Sequence, residues 1–438
     1  MRLWPSGGLW RHHDFLKLWT AQGVSEFGSQ ISQIAIPLVA VIGLHASAFE
    51  VAALETVLFL PFLLFSLPAG VWVDRLRRRP ILVAADAGRA LALASIPIAA
   101  AMHSLTMAQL YVAGFVAGTL TVFFDVSYQS YLPSLVQRGD LVDANSKLEV
   151  TRSAAQIGGP GLAGLLVRAV GASYAVLADA LSFVWSAAFL FSIRKQEVLP
   201  ELTEERPPVR RELVDGLKYL VRHRYWRPIS ISTATFNFFN NVAFSILIVY
   251  AVRRLDMSPL EIGLTFSLSN GGALIAAIFA KRIGTRLGVG QTIVLGTIVD
   301  SASLVLVPLA PASFPIPFLV LAFSLSGFGV VLYNVTAISL TQALVPERLL
   351  GRVNASRRFI VWGTIPLGAL LGGVLASTIG MRPTMFIGTL ASTLGVVPLL
   401  VSPVHSITTM PEQPEASAVI DALLPAVPRI APEPTAAA

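Results

Sequence analysis

The chain has 438 residues, 54% of them hydrophobic and 13% charged, with a formal net charge of +7 and no cysteine. A soluble domain carries about 25% charged residues, so a water-soluble fold of this composition would expose apolar surface that only a bilayer accepts. The lack of cysteine excludes disulfides, thiolate catalysis and cysteine metal sites. The basic residues sit in short clusters between apolar runs, which is a topology signal and argues against nucleic acid as a partner.

The first segment carries Arg2, Arg11, His12, His13, Asp14 and Lys17, and no small-residue cleavage site follows the apolar run after it. That run reads as a retained helix and not a signal peptide. About 20 apolar residues cross a bilayer as a helix. Six spans are expected at Phe15–Leu44, Phe49–Val73, Ile81–Met102, Met107–Leu132, Ala144–Val170 and Ser173–Ile193. A charged segment follows with Pro207 and Pro208, and then Leu213, Leu217, Leu220 and Val221 recur at helical spacing among Arg210, Arg211, Lys218 and Arg222. This pattern predicts an amphipathic helix on the membrane surface. Six more spans are expected at Pro228–Val252, Pro259–Ala280, Gln291–Leu309, Phe314–Leu344, Val353–Thr378 and Pro383–Val404. A Pro-, Ala- and Glu-rich tail then reads as disordered.

The expected organisation is therefore all-α: an N-terminal six-helix bundle over 1–193, a linker over 194–227, a C-terminal six-helix bundle over 228–404 and a tail over 405–438. Of the 32 Lys and Arg residues, only Arg168, Arg253, Arg254 and Arg382 fall outside when the N-terminus is placed in the cytoplasm. This bias predicts a multi-pass protein of the cell membrane with linker and both termini cytoplasmic. The halves also repeat. Leu135, Val136, Asn145, Gly159, Gly164 and Gly171 recur as Leu344, Val345, Asn354, Gly368, Gly373 and Gly380, always 209 positions later. Duplicated halves around a midplane site are a transporter architecture.

Two motifs stand out. After the second span comes Gly70-Val71-Trp72-Val73-Asp74-Arg75-Leu76-Arg77-Arg78-Arg79-Pro80. Gly70 would allow close helix approach, Asp74 would sit against a helix N-terminus, and Arg75, Arg78 and Arg79 would tie the cytoplasmic ends together and meet anionic lipid. The alternative is a loop that only sets topology. The fifth span holds Gly159-Pro160-Gly161-Leu162-Ala163-Gly164, where small residues favour close packing and proline a bend. The first motif resembles the loop signature G-x-x-x-D-R-x-G-R-R of the major facilitator superfamily, with Arg77 in place of a glycine. The second resembles the G-P-x-x-G-G signature of its drug:proton antiporters, with Ala163 in place of a glycine, although ordinary close packing would explain it as well. Together with Gln22-Gly23-Val24-Ser25, Asp86 with Arg89, and Arg348 to Arg352, they resemble the branch of enterobactin exporters and macrolide-efflux proteins.

That resemblance implies two pseudo-symmetric six-helix bundles, with helices one, four, seven and ten around a central cavity. Polar side chains inside a membrane are functional candidates by default. Helix one carries Gln22, Glu26, Gln30 and Gln33 on one face, facing a water-filled cavity or a hydrogen-bonded seam. Helix four carries Asp125, Tyr128 and Gln129, and the repeat sets Asn334 of helix ten opposite Asp125. Asp125 is a candidate proton-coupling acid, as is Glu26, or else it pairs structurally with a neighbouring helix. Helix seven mixes Asn237, Asn240 and Asn241 with phenylalanines, suiting a large amphipathic ligand or helix packing.

No G-x-x-x-x-G-K loop or metal-spaced His–Glu cluster occurs, so no enzyme activity, ATP use, cofactor or metal is expected. The expected function is proton-coupled efflux of hydrophobic or amphipathic small molecules (drug, macrolide or siderophore-like) by alternating access, carried out by a monomer in the lipid bilayer. The alternatives are a lipid or lysolipid translocator and, from another class, a non-transporting membrane receptor or scaffold.

Overall fold

The computed structural model describes residues 8–73, 76–195, 197, 221–344 and 347–409, the side chains at 67, 71, 138, 341–344 and 347–358 excepted. Among the described residues there is no strand. Hydrocarbon offers no partner to a backbone N–H or C=O, so each segment satisfies its own groups as helix. The first half comprises α1 (His13–Gly43), α2 (Ala48–Val73), α3 (Arg78–Ala101), α4 (Met107–Leu135), α5 (Leu141–Val170) and α6 (Ala172–Phe191). The second comprises α7 (Trp226–Arg253), α8 (Pro259–Leu287), α9 (Val289–Leu309), α10 (Pro315–Leu344), α11 (Glu347–Thr378) and α12 (Met381–Leu400).

Eleven of these helices are long and apolar enough to cross a membrane. The twelfth, α5, has 30 residues, so its length suffices. Its apolarity is diluted by Asp143, Lys147, Glu149 and Arg152 in its first half and by Gln156, Arg168 and the Gly158–Gly161 stretch; it packs between α1 and α8. The outer faces of the bundles are apolar instead. Leu91 and Ile278 are each 74% exposed, as suits side chains that meet lipid.

Helix ends follow local chemistry. Thr106 accepts from Gln109 N at the start of α4. Ser258 and Glu261 form a reciprocal capping box at α8, with Pro259 in the first turn. The repeated glycines Gly171 and Gly380 join α5 to α6 and α11 to α12 at φ +87° and +93°. A side chain would be strained in that left-handed region, which gives this repeat pair a physical reason.

The halves share one plan. In the first, α1 packs on α5 and α6, α3 on α4 and α6, and α2 on α4. In the second, α7 packs on α11 and α12, α9 on α10, and α8 on α10. Two helix pairs carry most of the contact between the halves, α2 with α11 and α5 with α8, and α1 meets the end of α7. Polar contacts between the halves run from mid-helix toward one end of the molecule. Thr56 donates to Pro366 O (3.4 Å), Gly161 N to Ser267 Oγ (2.8 Å), Asn270 Nδ2 to Gln156 O (3.0 Å) and Arg253 Nη2 to Ala46 O (2.6 Å). That end holds the 44–47 turn and lies opposite the Arg77–Arg79 loop. Beyond α12, Pro403–Ser406 forms a 3-10 turn and Gly290 N donates to Ile407 O at 2.8 Å, docking the chain on α9. The amphipathic helix expected over 209–222 falls largely, and the tail from 410 wholly, outside the described residues.

Candidate substrate face and coupling site

α1 is held on two sides. Trp19 Nε1 donates to Thr151 Oγ1 of α5 at 2.9 Å, and Gly28 faces Asp179 and Ser182 of α6. Its polar stripe runs along the remaining inner surface. Gln22 Nε2 donates to Glu26 Oε1 at 2.9 Å, whereas Gln22 Oε1 is buried with no partner among the described residues. Gln33 is exposed although it lies mid-helix. Gln30 is the exception on this stripe: it packs on α5, where a Cβ at Gly159 would come 2.4 Å from Gln30 Cβ.

On α4, Tyr128 stacks on Phe124 with 6.0 Å between ring centroids, and Gln129 is exposed. Three acids from three helices bear electrostatically on the Tyr128 phenol: Glu26 of α1, Asp125 of α4 and Glu149 of α5. The two acids singled out on separate helices thus lie within electrostatic range of one phenol. Glu149 has Arg152 at 3.7 Å, a pair visible in the sequence, but its place in this group was not.

In the second half the asparagines divide. Asn237 Nδ2 donates to Val361 O of α11 at 3.3 Å, and Asn241 Nδ2 to Asn237 O at 2.8 Å. Asn237 thus bonds across the α7–α11 seam and Asn241 within α7, where Gly368 lets the Phe238 carbonyl and Asn241 approach. Asn240 is half-buried and Asn334 exposed. Sequence reasoning missed Thr233 and Tyr333, whose hydroxyls bond at 2.6 Å between α7 and α10, and the Phe62–Trp362 pair, 4.8 Å apart across the halves.

In the loop motif, Asp74 and Arg75 lie outside the described residues. A Cβ at Gly70 would meet nothing within 4 Å among the described residues. Arg78 and Arg79 clamp α3 to the end of α6. Glu197 Oε2 accepts from Arg78 N (2.7 Å) and Arg79 N (3.2 Å), and Glu197 Oε1 pairs with Arg78 Nη1 at 3.3 Å. Arg79 Nε donates to Leu190 O at 3.1 Å, and its guanidinium also bonds Phe191 O. Glu197, at the α3 N-terminus where an anion is favoured, had no recognisable sequence signal. In the helix-five motif, the Pro160 carbonyl and Gly164 meet Gly263 of α8 at the joint between the halves.

Paired six-helix halves, joined by α2–α11 and α5–α8 and lined inside by polar side chains, define a secondary transporter of the major facilitator type. The chain belongs to the transmembrane secretion effector family within it, whose model matches residues 8–424. The multidrug efflux pump Tap of Mycolicibacterium fortuitum is 25% identical over 372 residues, covering 82% of this chain and 88% of that one. Macrolide efflux protein A of Streptococcus pyogenes is 23% identical over 384 residues, 87% and 94% of the two chains. Among solved structures, a bacterial homologue of the iron transporter ferroportin in an inward-facing state superposes with a TM-score of 0.71 at 17% identity, covering 90% and 99%. The nucleoside transporter NupG gives 0.70 at 11% identity, covering 88% and 98%. These likenesses show the fold. The protein is a multi-pass membrane transporter of small molecules and not an enzyme.

Proposed function

We propose that this protein exports hydrophobic or amphipathic small molecules in exchange for protons. The observation that carries this reading is that Glu26 of α1 and Asp125 of α4 both lie within electrostatic range of the Tyr128 phenol, on helices that also carry exposed mid-helix amides at Gln33 and Gln129. Asp125 is the coupling acid in this reading and Glu26, bonded to Gln22, its neighbour. Gln22, Gln33, Gln129, Asn240 and Asn334 line the substrate path, with Gln30, Tyr128, Asn237 and Asn241 as its supporting polar wall. The drug and macrolide efflux named for two relatives supports the direction and the substrate class. The chain acts as a monomer in the plasma membrane.

The Lys and Arg distribution puts the Arg77–Arg79 end, the linker and both termini in the cytoplasm. The closure described above then lies on the outside, making this an inward-facing conformation. Gly70, Asp74, Arg75, Arg78 and Arg79 form the gate on the open side. The chain is free of native cysteine, so the orientation has a direct test. Ser313→Cys is expected to react with an impermeant maleimide in intact cells, and Thr285→Cys only after permeabilisation. The reverse pattern would overturn the topology.

Coupling is tested in proteoliposomes with a macrolide and a lipophilic dye cation as probes under an imposed pH gradient. Asp125→Asn is expected to lower proton-driven accumulation about 5- to 150-fold, the span of ordinary site–site coupling, while downhill exchange continues. Asn keeps the shape and removes the ionisable group. Uphill accumulation with unchanged pH dependence in both Asp125→Asn and Glu26→Gln would sink the assignment.

A further inference from the structure

The first half contains a second group of charges, away from the inner face. On α3, Asp86 and Arg89 are 0% and 4% exposed and form a direct ion pair. The Arg89 guanidinium is sandwiched between the rings of Phe124 on α4 (4.2 Å) and Phe183 on α6 (4.1 Å). It also reaches Thr121 Oγ1 at 3.5 Å. A second acid, Asp179 of α6, is 1% exposed and lies within electrostatic reach of both Asp86 and Arg89. Among the described residues no cation lies within ion-pair distance of Asp179; Ser182 Oγ donates to its Oδ1 at 3.1 Å.

Two carboxyls and one guanidinium carry a net charge of −1 if all are ionised. The Phe124 and Phe183 rings wall the guanidinium, and Asp86 and Asp179 are 0% and 1% exposed. An uncompensated charge in the membrane interior is costly, and a bound proton removes it. We propose that Asp179 holds that proton, which makes the Asp86–Arg89–Asp179 cluster a proton-binding site distinct from Glu26 and Asp125. Asp86 has a direct cation partner in Arg89. Asp179 receives only hydroxyl neighbours, and a protonated carboxyl needs an acceptor for its own O–H. Ser32 of α1 supplies one: its Oγ lies beside the Asp179 carboxyl and is buried with no other partner among the described residues.

The placement makes the proton bear on α1. A Cβ at Gly28 would come 2.5 Å from Asp179 Oδ1 and 2.2 Å from Ser182 Oγ, so α1 rests directly on this carboxyl. The charged groups facing Asp179 are Asp86 and Arg89 of α3, and α1 presents Ser32 there. Losing the proton would turn the Asp179–Ser32 contact from donor to acceptor and leave the charge unbalanced beneath the helix that carries Gln22 and Glu26 on its other side.

Infrared spectroscopy of the full chain in lipid nanodiscs at neutral pH reads this without any transport assay. The wild type minus Asp179→Asn difference spectrum is expected to show loss of one protonated carboxylic C=O band, and Ser32→Ala to shift that same band. Asp300→Asn, which removes a separate buried acid bonded to Ser326 at 2.6 Å, should leave it in place. Loss of a carboxylate band in Asp179→Asn, or no carboxyl difference at all, would overturn the proposal. Failure of Asp179→Asn to fold would also count against it, since a neutral isostere of a protonated aspartate should be tolerated.

Discussion

Arg89→Gln is expected to destabilise the N-terminal half by about 3–5 kcal/mol, because removing one partner of a buried ion pair strands the other. The stranded group is Asp86, at 0% exposure. The guanidinium also fills the space between Phe124 and Phe183, and glutamine restores neither the charge nor the stacked plane. Asp86→Asn/Arg89→Gln should recover the part of the loss that comes from the stranded charge, since the double variant leaves no unpaired carboxylate at Asp86. The measurement is the fraction of monodisperse protein after graded heating in detergent, for both singles and the double. A double variant as unstable as the sum of the singles would mean that the two side chains contribute independently and that the pair is not the reason for the loss.

This pair also shows what was legible in the sequence. Asp86 and Arg89 are three apart on a helix, so their contact follows from helical spacing alone. The arrival of Asp179, 90 positions later, does not, because nothing local says which face of α6 meets α3. The inner face divides in the same way. The Gln22–Glu26 bond is an i, i+4 contact and could be expected. That Glu26, Asp125 and Glu149 lie within electrostatic range of Tyr128 needs the packing of α1, α4 and α5. The asparagines of α7 mark a polar face in the sequence, but spacing could not tell a substrate wall from a seam. Asn237 reaches the Val361 carbonyl of α11, and Gly368 two turns further along lets the Phe238 carbonyl and Asn241 come close. Span counting worked where the apolar signal was strong. It weakened at α5, where Asp143, Lys147, Glu149 and Arg152 crowd the first half and glycines at the joint with α8 stand where larger apolar residues would raise the signal.

The glycines of α5 and α8 carry the second large effect. A Cβ at Gly263 would fall 2.3 Å from Pro160 O and 2.9 Å from Gly164 Cα, and one at Gly164 would fall 2.6 Å from Pro259 O. These are backbone atoms, which cannot turn aside as a side chain can. Each half has its own helix contacts apart from this joint, so a bulky residue here should leave the bundles folded and push them apart at the closed end. Gly263→Val is expected to disfavour the closed end by about 1–3 kcal/mol, the usual cost of overpacking. That corresponds to about a 5- to 150-fold shift between conformations. Transport should fall while membrane insertion stays normal, and Gly263→Ala should fall between valine and wild type. Spin labels at Ser104→Cys and Ser313→Cys, one in each half near this end, report the separation directly. Gly263→Val should lengthen the dominant distance or populate a longer one. Wild-type distances together with wild-type transport would show that the α5–α8 glycine contact is not where the halves are held closed.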